Sequence, residues 1–133
     1  MIQTAPPEVV VLDASAMVDL LTDQSGAEPI RLRLRHTAVH VPAHFDAEVL
    51  SAVDRLCRAG QLTGEDAAEL LGALRRAPFS RHHLQDLLEG GWSRWNTHCL
   101  VDALYVELAE QLRAPLITTD RRLASNYAQA QVP

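Results

Sequence analysis

Apolar residues along the chain alternate between strand-like runs and helix-like spacings. Val9, Val10, Val11 and Leu12 form a continuous, mostly β-branched run, the pattern of a strand buried on both faces of a parallel sheet, and Asp13 stands at its end. Met17, Leu20 and Leu21 follow at helical spacing and predict a helix over 14–21; a second is expected over 27–35, then a short strand at 39–41. Phe45, Val49, Ala52, Val53 and Leu56 repeat as one buried helical face that Gly60 ends, with Pro42 expected in the first turn. Thr63, followed by Glu65 and Asp66, is the N-cap and acidic first turn of a helix that carries Leu70, Leu71 and Leu74 and stops at Pro78. Residues 79–84 suggest a weak strand, while 85–95 stays open between helix and loop because Gly90 and Gly91 interrupt a helical pattern. A strong helical pattern over 100–113, a compact strand from Pro115 to Thr119 ending at Asp120, and a short helix over 121–127 complete the series.

Strands alternating with helices imply right-handed crossovers and a parallel sheet covered on both faces, in one α/β domain. With 133 residues, 47% of them apolar, the chain can bury a core of its own; one domain over 1–133 is expected, with its ordered core at about 8–127. No run approaches the roughly 18 apolar residues of a membrane span, and residues 1–8 lack a signal-peptide pattern, so a cytoplasmic protein is expected. Cys57 and Cys99 fall within expected helices without CxxC spacing, which predicts reduced core thiols.

A net charge of −5 lacks the basic footprint of a typical nucleic-acid binder. All 12 basic residues are arginine, so any phosphate contact must come from a guanidinium or from the backbone.

The chemistry suggested by position is acidic. Ligands of open parallel sheets collect beyond the carboxyl ends of the strands, where Asp13 and Asp120 both stand. On neighbouring strands their carboxylates would repel unless a cation lay between them. Asp102 leads a helical ridge, Tyr105, Val106 and Ala109, that is otherwise apolar-bodied; it reads either as a first-turn acid favoured by the helix dipole or, beside two strand-end aspartates, as part of a metal site. Glu48 and Asp46 flank the apolar stripe of their helix about equally, and periodicity does not choose between them; Asp54 points away from it. Clustered carboxylates suit Mg2+ or Mn2+, hard cations that prefer oxygen ligands and serve phosphoryl chemistry. The six histidines are scattered and lack a zinc spacing, although His98 lies one helical turn before Asp102. Trp92 and Trp95, three apart, have the spacing of core or interface residues, with stacking on bases as the other use.

The segments VVLDASAMVDL (10–20), PAHFDAEVLSAVDRL (42–56), VDALYVELAE (101–110) and PLITTDRRL (115–123), in this order, resemble the PIN-domain ribonuclease toxins of bacterial VapBC toxin-antitoxin modules. The resemblance implies an α/β/α sandwich with four or five parallel strands. It makes Asp13 and Asp102 the central Mg2+ ligands, selects Glu48 over Asp46, and lets Glu48 and Asp120 complete the acidic site. Ser15 and Thr118 match hydroxyl positions that would orient a ligand carboxylate or water, and Arg121 and Arg122 are the best placed to meet RNA. It further implies a homodimer and a cognate antitoxin whose C-terminal segment, with basic or bulky residues, covers the acidic site.

The activity so implied is metal-dependent hydrolysis of RNA, leaving a 5′-phosphate and a 3′-hydroxyl. A haloacid-dehalogenase-like phosphohydrolase would need a second aspartate two residues after Asp13, where Ser15 stands. A receiver domain would need a lysine, and the chain has none. The rival of a different class is a non-catalytic PIN-like module that binds RNA or protein.

Overall fold

The computed structural model describes residues 5–133. Strand β1 (Glu8–Leu12) leads into helices α1 (Ala14–Leu21) and α2 (Ala27–Leu34), and β2 (Thr37–Pro42) into α3 (Phe45–Arg58) and α4 (Gly64–Arg76). Strand β3 (Ser80–His82), a 3-10 turn at Leu84–Asp86, α5 (Leu88–Trp92) and α6 (Leu100–Leu112) follow, then β4 (Leu116–Ile117), α7 (Arg121–Ser125) and β5 (Ala130–Gln131). All five strands are parallel in the order β3-β2-β1-β4-β5, with helices packed against the sheet as expected.

The strand order reverses at β1. From β1 the chain winds outward through β2 to β3, then crosses back to β4 on the other side. Such a switch point spreads the loops at the carboxyl end and opens a crevice there. Val10, Val11 and Leu12 are wholly buried, in keeping with a strand covered on both faces. They pack with Phe45 and Val49 of α3, Tyr105 and Leu108 of α6, and Leu116 and Ile117 of β4 in one core.

Several local expectations are corrected. Pro42 closes β2 opposite His82 instead of opening a helix, and the amide of Ala43 continues the pairing by donating to the His82 carbonyl at 2.8 Å. Its missing N–H is tolerated at a strand end, and α3 starts only at Phe45. The Gly90–Gly91 pair lies inside α5, because a Cβ on Gly90 would stand 2.1 Å from Glu107 and one on Gly91 3.0 Å from Leu104; both glycines let α5 approach α6 closely. Strand β5 was not expected, and it extends the ordered sheet past Tyr127. Cys57 is a half-buried thiol, but Cys99, at the N-cap of α6, is exposed and not a core residue. The Thr63 signal holds as a reciprocal capping box, with the Asp66 amide donating to Thr63 Oγ1 at 3.0 Å and the Thr63 amide donating to Asp66 Oδ2 at 3.3 Å.

Candidate active site

Asp13, Glu48, Asp102 and Asp120 line one cleft of about 340 Å³ at the carboxyl end of β1. A larger cleft, of about 530 Å³, opens at the other end of that strand beside Glu8, Arg113 and Tyr127, away from the edge where an α/β sheet collects its ligands.

Asp13 is only 6% exposed. It occupies the N-cap of α1 without bonding the helix's own amides through its side chain. Its Oδ2 instead accepts hydrogen bonds from Ser15 Oγ and Thr118 Oγ1, each 2.7 Å long. Those hydroxyls accept in turn: Ser15 Oγ from the Thr119 amide at 3.2 Å, and Thr118 Oγ1 from the Asp120 amide at 3.0 Å. The loop after β4 is thereby tied to the end of β1, a link completed by the Asp13 amide donating to the Ile117 carbonyl at 2.9 Å. Ser15 and Thr118 thus hold the buried carboxylate through one of its oxygens.

Glu48 and Asp46 separate by partner. Asp46 forms a two-pronged ion pair with Arg81 of β3, at 2.6 and 3.0 Å. Glu48, half-buried, lines the cleft and accepts a 2.6 Å hydrogen bond from Tyr105 on its Oε1. His44 Nε2 lies 3.3 Å from the same oxygen but out of hydrogen-bond alignment, and both its ring nitrogens are closed to solvent without a partner. Burial lowers the His44 pKa, which favours the neutral ring. Tyr105 and His44 were not read as site residues from sequence. Their spacings, three after Asp102 and four before Glu48, are the signals that put them on the same helical faces.

Asp120 caps α7, its Oδ1 accepting from the amides of Arg122 at 2.9 Å and Leu123 at 3.2 Å. Asp102, in the first turn of α6, has no hydrogen-bond or ion-pair partner among the described residues. A common arrangement emerges. Asp13, Glu48 and Asp120 are each fastened to the protein by side-chain or amide bonds to one oxygen, and the second oxygen receives no side-chain hydrogen bond.

Electrostatics follow from that crowding. Burial raises the Asp13 pKa, the Ser15 and Thr118 bonds oppose the rise, and the charge of Asp120 adds to it. Burial likewise raises Glu48, and it raises Asp102, where Asp13, Asp120 and Glu48 add repulsion and Arg122 opposes it. Arg55 reaches the cleft wall but donates to Ser51 Oγ at 3.1 Å, and among the described residues no arginine bonds any of the four carboxylates. An all-oxygen, anionic donor set fits a hard divalent cation. Among the described residues no group of three or more acidic, histidine or cysteine side chains is arranged closely enough to hold a metal ion as it stands.

Arg121 and Arg122 are both exposed at the start of α7, beside Asp120. His98 sits at the edge of the site, lining a neighbouring cleft with Asp102. Asp54 pairs with Arg58 on the solvent face, as expected.

The model of the PIN domain matches residues 10–129. Ribonuclease VapC3 of Mycobacterium tuberculosis is 56% identical over 128 residues, covering 96% of this chain and 93% of its own. Ribonuclease VapC12 of the same organism is 34% identical over 119 residues, covering 90% and 92%. Among solved structures, a toxin-antitoxin complex from Klebsiella pneumoniae superposes with a TM-score of 0.69 at 18% identity, over 93% of this chain and 97% of the other, a likeness of fold. A family match across the strands and loops that build the cleft, with relatives aligned over nearly their full length, places the chain in the PIN domain family, among the VapC ribonucleases.

Proposed function

We propose that the acidic cleft hydrolyses RNA phosphodiesters with the help of Mg2+, Mn2+ being able to substitute, and that the protein is the toxin of a toxin-antitoxin pair. Kinship with the VapC ribonucleases supports an endoribonuclease. The observation that carries the metal-dependent reading is the set of four carboxylates on one cleft, three fastened through a single oxygen and none bonded by an arginine among the described residues.

Asp13 and Asp102 would be the central ligands, with Glu48 and Asp120 completing the site. When bound, the cation supplies Lewis-acid chemistry: it lowers the pKa of a water and offsets charge on the phosphate. Ser15 and Thr118 hold Asp13 by Oδ2, leaving Oδ1 as the donor atom, and Tyr105 does the same for Glu48. Arg121 and Arg122 offer guanidinium groups to the RNA backbone. The bond that forms joins the water oxygen to phosphorus and the bond that breaks is P–O3′; the 3′ oxygen leaves with a proton, giving a 5′-phosphate and a 3′-hydroxyl.

The likeness to a toxin-antitoxin complex supports an antitoxin partner, whose basic or bulky segment would complement the acidic cleft. A homodimer working in the cytoplasm completes the reading. No helix among the described residues is long and apolar enough to cross a membrane.

The test compares the wild-type protein with Asp13→Ala and Asp102→Ala on RNA with Mg2+, Mn2+ or EDTA. Cleavage is expected only from the wild type with a divalent cation, and Mn2+ should raise its melting temperature. Full activity in EDTA, or in a folded Asp13→Ala protein, would refute the metal-dependent site. Absence of Mn2+ stabilisation together with RNA binding would instead identify a non-catalytic module.

A further inference from the structure

A second cleft, of about 260 Å³, adjoins the acidic one, and Asp102 lines both. Its wall carries Trp95, Asn96 and His98 from the segment ahead of α6, with Arg122 and Asn126 from α7 and its C-cap. Apart from Arg122, none has a part in the hydrolysis described above.

The groups on this wall share a chemistry. Trp95 is 59% exposed, yet its ring is backed by that of Trp92, with centroids 6.1 Å apart and planes inclined by 16°. An exposed indole stacked on a second one at the lip of a polar cleft offers a flat face to a ligand, and aromatic side chains lose little entropy on ordering. The side-chain amides of Asn96 and Asn126 have no partners among the described residues, and each presents a donor and an acceptor, the pattern that base edges match. His98 Nδ1 pairs with Thr97 Oγ1 at 2.9 Å, but its Nε2 is closed to solvent without a partner, a polar atom left to be satisfied. The guanidinium of Arg122 has no ion-pair partner among the described residues, and its positive charge acts on Asp102, the residue shared by the two clefts.

We propose that this second cleft is a nucleobase pocket, in which one unstacked base of a single-stranded RNA, next to the scissile phosphate, stacks on Trp95 and meets Asn96 and Asn126 with its edge. Arg122, which lines the pocket and whose charge acts on the shared Asp102, meets the connecting phosphate. The inference rests on the reading of the acidic cleft as a ribonuclease site. It gives the enzyme a preference at one nucleotide beside the cut and restricts it to unpaired segments, since a base inside a duplex cannot present its face to an indole.

The chain has two tryptophans, so Trp92→Phe leaves Trp95 as the only indole emitter. In a Trp92→Phe, Asp13→Asn protein, shown to be folded by its melting curve, ribo-oligonucleotides of each single base should quench Trp95 fluorescence to saturation, with affinities that differ between bases. By anisotropy of labelled RNA, Trp95→Ala should weaken binding about tenfold. With a random-sequence RNA pool, the wild type should show a base preference at one position beside the cut, which Trp95→Ala and Asn126→Ala flatten. Binding of RNA with unchanged Trp95 fluorescence, or a preference untouched by Trp95→Ala, overturns the pocket and leaves the ribonuclease reading intact. Quenching without cleavage by the wild type supports the pocket and sinks the nuclease. Neither binding nor cleavage overturns both.

Discussion

The hydroxyl of Tyr105 donates a 2.6 Å hydrogen bond to Oε1 of Glu48, joining α6 to α3 across 57 residues of chain. Tyr105 is wholly buried and stands three residues after Asp102, so one face of α6 carries one carboxylate and holds another in place. Burial and the charge of Glu48 both push the phenol's pKa upward, which keeps it a donor throughout the physiological range.

Tyr105→Phe should keep the ring and lose the bond. A hydrogen bond to a charged group is worth about 1.5–3 kcal/mol at most, and less where the acceptor is half open to water. A loss of about 1 kcal/mol in thermal melts is expected, with a fall of tenfold or more in single-turnover RNA cleavage. Cleavage undiminished in the folded variant would show that Glu48 needs no fixing.

Asp120 has two duties that substitution can separate. Asp120→Asn removes the charge but keeps a good N-cap, so it should melt close to the wild type and fail to cleave. Asp120→Ala should fail to cleave and also lose about 1 kcal/mol, because the amides of Arg122 and Leu123 lose their acceptor. Equal stability in the two variants would count against the capping role.

Without a divalent ion, the protein should lose stability as pH rises. Asp13, Asp102 and Glu48 have pKa values raised on folding from ordinary values of 3.8, 3.8 and 4.5, so above about pH 4 these three groups bind more protons in the native state than in the unfolded one, while the lowered values of His40 and His44 act in the opposite sense. The carboxylate contribution is fully present below the unfolded values and is lost as pH climbs through the raised ones, at up to ~1.4 kcal/mol per pH unit for each proton. Urea titrations in EDTA should show the decline, Asp13→Asn should flatten it, and Mn2+ should offset it. A pH dependence identical in the wild type and Asp13→Asn would contradict the carboxylate crowding.

Some of this site was legible in the chain and some was not. The Val9–Leu12 run announces a doubly covered strand, and a strand of that kind delivers Asp13 to a sheet edge. Asp102 is legible as an acid heading an apolar ridge. Glu48 and Asp46, by contrast, flank one stripe symmetrically. What separates them is Arg81 on one side and Tyr105 on the other, partners 35 and 57 residues away that no local period encodes. Strand β4 lies inside the stretch from Pro115 to Thr119 expected as a strand, whereas β5, two residues long, is too short for alternation to mark and forms by pairing along β4. Pro42 fits a helix start and a strand end equally well by its fixed φ; pairing with β3 decides.

The contact of α5 with α6 gives a test by double substitution. Arg94 Nη1 donates to Glu107 Oε1 at 2.5 Å and to the Gly90 carbonyl at 2.8 Å, and a Cβ on Gly90 would meet the Glu107 carboxyl. Gly90→Ala should therefore expel Glu107 from its ion pair and cost about 1 kcal/mol, despite the better helix propensity of alanine. In a Glu107→Ala background the same change should be neutral or stabilising, measured by urea unfolding. Equal losses in both backgrounds would place the cost elsewhere.

The bond from Thr118 to Asp13 spans 105 residues, and it has a consequence in time. During synthesis Asp13 and Glu48 emerge early, but the hydroxyl that orients Asp13 and the carboxylate of Asp120 come only when β4 has been made and has docked beside β1. A partly made chain therefore carries unassembled acids and no organised cleft.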